Sequence, residues 1–309
     1  MAIDYKKAKF LWMNGKIIPF EDAVVHLMSP VARYGTNVFE GIRVYWNQDE
    51  KQLYAFRLRE HYQRLLESAK IMQLNTDTTV EICENVFLEL VRRNEFKEDL
   101  HARHTIYADG FGPFNATEPV GMFAAAYPRG RAFDFENGIH CGVSSWKRID
   151  DNSVPPRIKC GANYQNSRLA SLQAKKDGYD QAIILNSSGK VAEAPGACFF
   201  MIRHGKIVTP PVTAGILESI TRDTLIELFR KELNLPVVER EVDRTELYVA
   251  EEAFLCGSGA EIAPIVSVDR LCVGNGKPGP IVEQMRTLFF DLVRGKNRAY
   301  KHWCTPIYE

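Results

Sequence analysis

The sequence predicts an α+β protein with a small α/β domain followed by a larger, strand-rich one. Three observations support this. The first 128 residues mix strand-like runs with two helical repeats, the run Pro128-Arg129-Gly130-Arg131 breaks the pattern, and strands dominate beyond it. The expected division is 1–128 for the small domain, 129–137 for a linker and 138–309 for the large domain.

Apolar residues flank Asn14-Gly15 in FLWMNGKIIPF, and both turn residues tolerate positive φ, so a hairpin is expected there. Val38 to Tyr45 reads as a strand. Leu58, Tyr62, Leu65, Leu66 and Ala69 then recur at helical spacing, followed by Cys83, Val86, Phe87, Leu90 and Val91 after a Thr-Asp-Thr-Thr start. Arg103 to Ala108 and Val120 to Tyr127 return to strand character. In the second part, Ile139 to Trp146, Gln181 to Asn186, Lys190 to Glu193 and Cys198 to Arg203 read as strands. The last of these pairs with Lys206 to Thr209 across His204-Gly205. A helix is expected over about Ser219 to Leu233, and a capping box at Asp243 to Glu246 opens a short one. Strands at Ala253 to Cys256 and Glu261 to Val268, a loop from Gly274 to Gly279 and a closing helix complete the chain.

Composition narrows the function. Of 309 residues, 45% are hydrophobic and 25% charged, and the formal net charge is zero, which argues against nucleic acid or an acidic membrane as partner. The seven cysteines are scattered with no C-x-x-C pair, and the histidines show no ligand spacing, so no metal is expected. No apolar run is long enough for a leader or a membrane span, and a cytoplasmic protein is expected.

The most informative stretch is VPPRIKCGANYQNSR, from Val154 to Arg168. It sets Lys159 after a stiff Pro155-Pro156 pair and before Gly161. A lysine amine condenses with an aldehyde only when neutral and held still, and this setting fits a Schiff-base lysine. The usual biological aldehyde, pyridoxal phosphate, needs an acid for its pyridine nitrogen, donors for its phosphate and a hydrogen bond to its phenolic oxygen. Glu193 is the candidate acid. Candidate phosphate donors are Ile220-Thr221 at a helix start, the Gly257-Ser258-Gly259-Ala260 loop, and Arg59. Tyr164 is the candidate phenol.

Several motifs together resemble the branched-chain amino acid aminotransferases, which are fold-type IV pyridoxal phosphate enzymes. These are Tyr34 to Arg43 (YGTNVFEGIR), Phe56 to His61 (FRLREH), Lys159 to Tyr164 (KCGANY), Glu193, Ile220 to Asp223 (ITRD) and Gly257 to Ile262 (GSGAEI), in one order over nearly the whole chain. The resemblance implies a transaminase that moves an amino group by a ping-pong mechanism between a branched-chain or related amino acid and a 2-oxo acid, with glutamate as the partner. It implies Lys159 as catalytic Schiff base and proton carrier, with the coenzyme in the C-terminal domain. It assigns Glu193 to the pyridine nitrogen and Tyr164 to the phenolic oxygen. It gives the phosphate to Arg59, Ile220, Thr221 and Ser258, and the substrate carboxylate to Ser258, Gly259 and Ala260. Tyr34, Phe39 and Arg103 would line the pocket, with Arg103 reading a distal carboxylate. A homodimer or higher homo-oligomer is also implied.

Four positions depart from the family pattern. His101 stands at a substrate-contacting tyrosine position, Arg129 and Arg131 occupy the interdomain segment, Ser219 replaces a glycine and Cys198 replaces an asparagine. His101 and the two arginines bear on substrate choice, since a histidine can donate a hydrogen bond and can also carry charge. The alternatives are other fold-type IV enzymes, namely a D-amino acid aminotransferase, an (R)-amine transaminase or aminodeoxychorismate lyase, and a non-catalytic coenzyme-binding protein.

Overall fold

The computed structural model describes residues 7–133 and 135–308, so the first six residues of the stretch read as lacking a leader lie outside it. The chain forms two compact units. The first comprises the chain up to Gly130, Ile158–Ala162 and the stretch from Phe290 onwards. The second comprises Arg131–Arg157 and Asn163–Phe289. The sequence assigned everything after residue 138 to one domain. That assignment is corrected in two places, because the lysine-bearing segment and the C-terminal stretch both return to the first unit.

The first unit is a seven-stranded antiparallel sheet. Its strands are β1 (Phe10–Met13), β2 (Lys16–Pro19), β3 (Asn37–Asn47), β4 (Gln52–Phe56), β5 (Leu100–Ala108), β6 (Val120–Pro128) and a last strand at Cys304–Pro306. The order is Cys304–Pro306, β4, β3, β5, β6, β1, β2. The β1–β2 turn puts Asn14 at φ 45° and Gly15 at φ 90°, as the Asn-Gly pair demands. After the short helix α1 (Pro30–Tyr34) come α2 (Leu58–Ile71) and α3 (Val80–Asn94), the latter capped by the Thr79 side chain. Their apolar stripes, Leu58, Tyr62, Leu65 and Ala69 with Cys83, Phe87, Leu90 and Val91, share one core with Val38, Ile42 and Val44 of β3. Emptying one such position, as Leu65→Ala would, costs about 2–5 kcal/mol.

The second unit holds β7 (Ile139–Lys147), β8 (Gln181–Leu185), β9 (Val191–Ala194), β10 (Ala197–Arg203), β11 (Lys206–Thr209), β12 (Val237–Glu239), β13 (Glu252–Gly257), β14 (Glu261–Val268) and β15 (Leu271–Cys272). β9 pairs with both β8 and β10, so the path β10-β13-β14-β7-β8-β9 closes into a ring. Two of its pairings, β7 with β8 and β7 with β14, are parallel. Helix α4 (Asn163–Lys176) packs on β7 and β8. Helix α5 (Ile220–Lys231) is anchored by Phe229 against Phe200 and Phe254, two rings that stack 5.0 Å apart. The closing helix is α6 (Pro280–Val293). No helix among the described residues is long and apolar enough to cross a membrane.

Candidate active site

In the first unit, the register of β3 decides where Lys159 goes. β4 pairs with β3 only over Val44–Asn47, leaving the earlier half of that edge open. The segment around Lys159 fills it. Cys160 bridges Val38, the Phe39 amide donates to the Lys159 carbonyl at 2.9 Å, and the Gly161 amide donates to the Asn37 carbonyl at 3.2 Å. Beneath, the Lys159 amide donates to Ser68 Oγ of α2 at 3.2 Å. Gly161 is required here, since a Cβ would come within 2.6 Å of the Asn37 side chain. Lys159 is thus held through its backbone on both sides, and its side chain is half-buried.

Lys159 Nζ and the Arg103 guanidinium both lie over the Phe39 ring, 5.1 and 3.7 Å from its centroid. The pairs Phe39↔Thr105, Gly41↔Arg103 and Arg43↔His101 put these residues on one face of the sheet. His101 leans towards Gly41, where a Cβ would meet its ring at 3.1 Å. Burial, then the charges of Arg129, Arg43, Lys159 and Arg103, hold the His101 imidazole well below its ordinary range. That setting favours the neutral ring over the charged one.

The opposite face of β3 carries Glu40, which is fully buried. It accepts from Arg64 Nε and Nη2 at 2.7 Å each, and its other contact, with His61 Nδ1, is 2.6 Å. Arg64 and His61 hold its carboxyl well below the usual carboxylate range against the cost of burial. Arg64 stands one helical turn before Ser68, so its guanidinium shares a face of α2 with the hydroxyl that holds Lys159.

Arg59, the arginine chosen from sequence, sits elsewhere. Its half-exposed side chain pairs with Glu81 and Glu84 of α3 at 2.8 and 3.3 Å. Five residues separate it from Arg64, about 140° round the helix. The structure thus engages Arg59 with the carboxylates of α3, and Arg64 shares a face of α2 with Ser68, the anchor of the Lys159 segment. The signal for Arg64 lay in its position beside the buried stripe Leu58, His61, Tyr62, Leu65 and Ser68. Tyr34 is 44% exposed and packs against Arg33 and Phe114.

In the second unit, Glu193 lies on β9, the strand that closes the ring, between Ile184 and Cys198. Its buried carboxylate pairs with Arg148 at 2.7 Å and accepts from the Leu217 amide at 3.2 Å. Arg148 is itself fixed, donating from Nε to the Gly215 carbonyl at 3.1 Å. Neither Arg148 nor Leu217 was anticipated, because nothing in local sequence links them to Glu193. Leu217 leads into α5, where the Ser219 side chain caps the helix by accepting from the Arg222 amide. A serine in place of glycine is thus a helix cap. Ile220 and Thr221 occupy the first turn, where backbone N–H groups attract anions. Ser258, Gly259 and Ala260 form the three-residue turn between β13 and β14, closed by Glu261 at φ 55°. That turn lies beside the β9–β10 turn, since a Cβ on Gly257 would come 3.4 Å from the Gly196 carbonyl. Tyr164 stands in the first turn of α4, 37% exposed. Arg131 lies over Phe135, 5.2 Å from its centroid.

Within the second unit, a buried carboxylate and an anion-attracting helix start suit a ligand with a basic ring nitrogen and a phosphate, and within the first an amine stands on a rigid edge. Comparison with known proteins decides the family. Residues 37–268 match the amino-transferase class IV model. This chain belongs to the class IV aminotransferases. It is 42% identical over 304 residues to the probable branched-chain-amino-acid aminotransferase of Aquifex aeolicus, covering 97% of each chain. Among solved structures, the branched-chain amino acid aminotransferase from Thermobaculum terrenum in its PLP-form superposes with a TM-score of 0.93 at 45% identity, covering 98% of this chain and 99% of that one. A T.th. branched-chain amino acid aminotransferase complexed with N-(5'-phosphopyridoxyl)-L-glutamate superposes with a TM-score of 0.92 at 35% identity, over 98% and 99% of the two chains. The protein is a pyridoxal phosphate-dependent aminotransferase of fold-type IV.

Proposed function

We propose that this aminotransferase moves an amino group between a branched-chain or related aliphatic amino acid and a 2-oxo acid, with glutamate as the partner. One observation carries the reading. An amine on a fixed backbone and a guanidinium share the Phe39 ring, so a group that can exchange nitrogen stands beside one that can read a carboxylate. The names of the similar proteins support the aliphatic substrate, and the phosphopyridoxyl-glutamate in the T.th. structure supports the partner.

When bound, pyridoxal phosphate supplies an aldehyde to carry the nitrogen and a ring to take up the electron pair released at the substrate α-carbon. Lys159 Nζ would hold the coenzyme and would serve as the base that moves the proton at the substrate α-carbon. A positioned base of this kind contributes on the order of 10²–10⁴-fold. Glu193, braced by Arg148, holds the proton on the ring nitrogen. Tyr164 donates to the phenolic oxygen. Arg64, rather than Arg59, joins the Ile220 and Thr221 amides and Ser258 in holding the phosphate. The Gly259 and Ala260 amides orient the substrate carboxylate. Phe39 gives the aliphatic side chain its wall, and Arg103 with His101 takes the distal carboxylate of glutamate.

The enzyme works as a homodimer or larger homo-oligomer in the cytoplasm. Val24, Leu27, Met28, Phe111 and Phe114 are exposed, with ring contacts of His26 to Phe111 and of Tyr34 to Phe114, and exposed apolar groups of this kind suit a second copy. All seven cysteines are thiols, as in a reducing compartment.

Rates with a panel of donors and 2-oxo acids test the substrate. Leading rates with the branched 2-oxo acids support the reading, and leading rates with aromatic, D-amino or amine donors overturn it. Lys159→Ala should lose the visible absorption of the bound coenzyme and about 10³-fold or more in turnover. A strictly monomeric active species in light scattering would end the oligomer claim.

A further inference from the structure

Glu193 has unequal neighbours at its two oxygens. Oε1 meets a guanidinium at 2.7 Å, which is a strong, charge-assisted contact. Oε2 meets the Leu217 amide at 3.2 Å and the Cys198 thiol at 3.9 Å. Cys198 is the cross-strand partner of Glu193, so both side chains project from the same face of the sheet. The same sulfur lies 3.7 Å from the Leu217 carbonyl. A thiol has one hydrogen and is a weak donor. It cannot serve both oxygens, and at these distances it serves either one poorly.

The position therefore fills space beside Oε2 while giving it little hydrogen bonding. A hydroxyl or amide there would bond the carboxylate directly and draw off electron density. Hydrogen bonds to a carboxylate favour its charged form and weaken its hold on a shared proton. We propose that Cys198, a weak donor at a position where a stronger one would bond the carboxylate, leaves Glu193 a strong acceptor for the coenzyme's ring nitrogen. This rests on the assignment of Glu193 to that nitrogen. No step of the reaction passes through the thiol.

The test is a pH titration of the bound coenzyme's visible absorption in holoenzyme, using wild type, Cys198→Ser, Cys198→Ala and Glu193→Gln. Serine adds a donor in nearly the same volume, whereas alanine removes the weak one. A ring nitrogen held less firmly makes the coenzyme more basic where it joins Lys159. Cys198→Ser is therefore expected to raise the absorption midpoint by about half to one pH unit. Cys198→Ala should stay with wild type. Cys198→Ser matching wild type, or Cys198→Ala moving as far as Cys198→Ser, overturns the role of Cys198. Glu193→Gln separates the two claims. If it leaves the midpoint in place, Glu193 is not the ring partner and the underlying assignment fails by itself. Circular dichroism and thermal melting confirm that each variant is folded.

Discussion

On the helix-facing side of β3, Glu40 meets Arg64 and His61 in a buried set where each charge has its partner. On the other side, Phe39 lies under Lys159 and Arg103, and four cations bear on one neutral histidine. One strand, with side chains alternating at a period of two, carries both arrangements. The first is a buried, mutually paired set. The second concentrates positive charge around an uncharged ring, a setting that favours an arriving carboxylate. If this division is right, loss of Glu40 should cost stability, loss of Arg64 should also weaken coenzyme binding, and damage to the other side should change substrate choice.

The largest effect is expected at Glu40. Glu40→Gln breaks a fully buried pair and strands the Arg64 charge, which should cost about 3–5 kcal/mol in denaturant unfolding. A loss near zero would remove the contrast. Arg64→Ala should weaken coenzyme binding about 10- to 100-fold in absorbance titrations of the apoenzyme, by loss of a charged hydrogen bond to phosphate. Arg59→Ala should leave it unchanged, because that side chain faces Glu81 and Glu84. Equal effects of the two variants would mean that helix face does not matter. On the other side of the strand, Arg103→Ala should raise KM for 2-oxoglutarate about 10-fold with little change for a branched 2-oxo acid, and unfolding should be unaffected. His101→Tyr compared with it shows which group reads the distal carboxylate.

The smallest effect is in pH dependence. His61, His101 and His104 all have depressed values, His104 down to about 3, chiefly through burial. Each favours the neutral ring in the folded state, so the unfolded chain binds more protons below the ordinary 6.5. Stability should decline as pH falls through that value. Glu40 adds a second decline below its ordinary 4.5, since its folded carboxyl resists protonation and the unfolded one does not. In Glu40→Gln the lower step should shrink while the upper one remains, as read by melting temperature against pH.

How much of this could be read from sequence followed the same division. Asn14-Gly15 and the stripes of α2 and α3 have strong local causes, and they appear where expected. Helix α4 was not anticipated, because its buried face is Asn163, Ser167, Ala170 and Ala174, too small and polar to show as an apolar repeat. The strand at Cys304–Pro306 is three residues long and contains proline, so pairing with β4 rather than propensity defines it. Family motifs placed Lys159 and Glu193 in view. They pointed to Arg59, whose side chain pairs with Glu81 and Glu84, because a motif gives residue types and not the face of a helix. Arg148 was out of reach, since only closure of the ring at β9 brings it to Glu193.

The strip Ile158–Ala162 has a consequence for dissection of the enzyme. A gene fragment stopping at Gly130 would lack both the lysine and the strand that covers β4, leaving two open backbone ladders in place of a minimal catalytic piece. Such edges invite pairing with other chains. A truncated product should therefore precipitate, and attempts to express the halves separately should succeed only by co-production or circular rearrangement that restores both inserts.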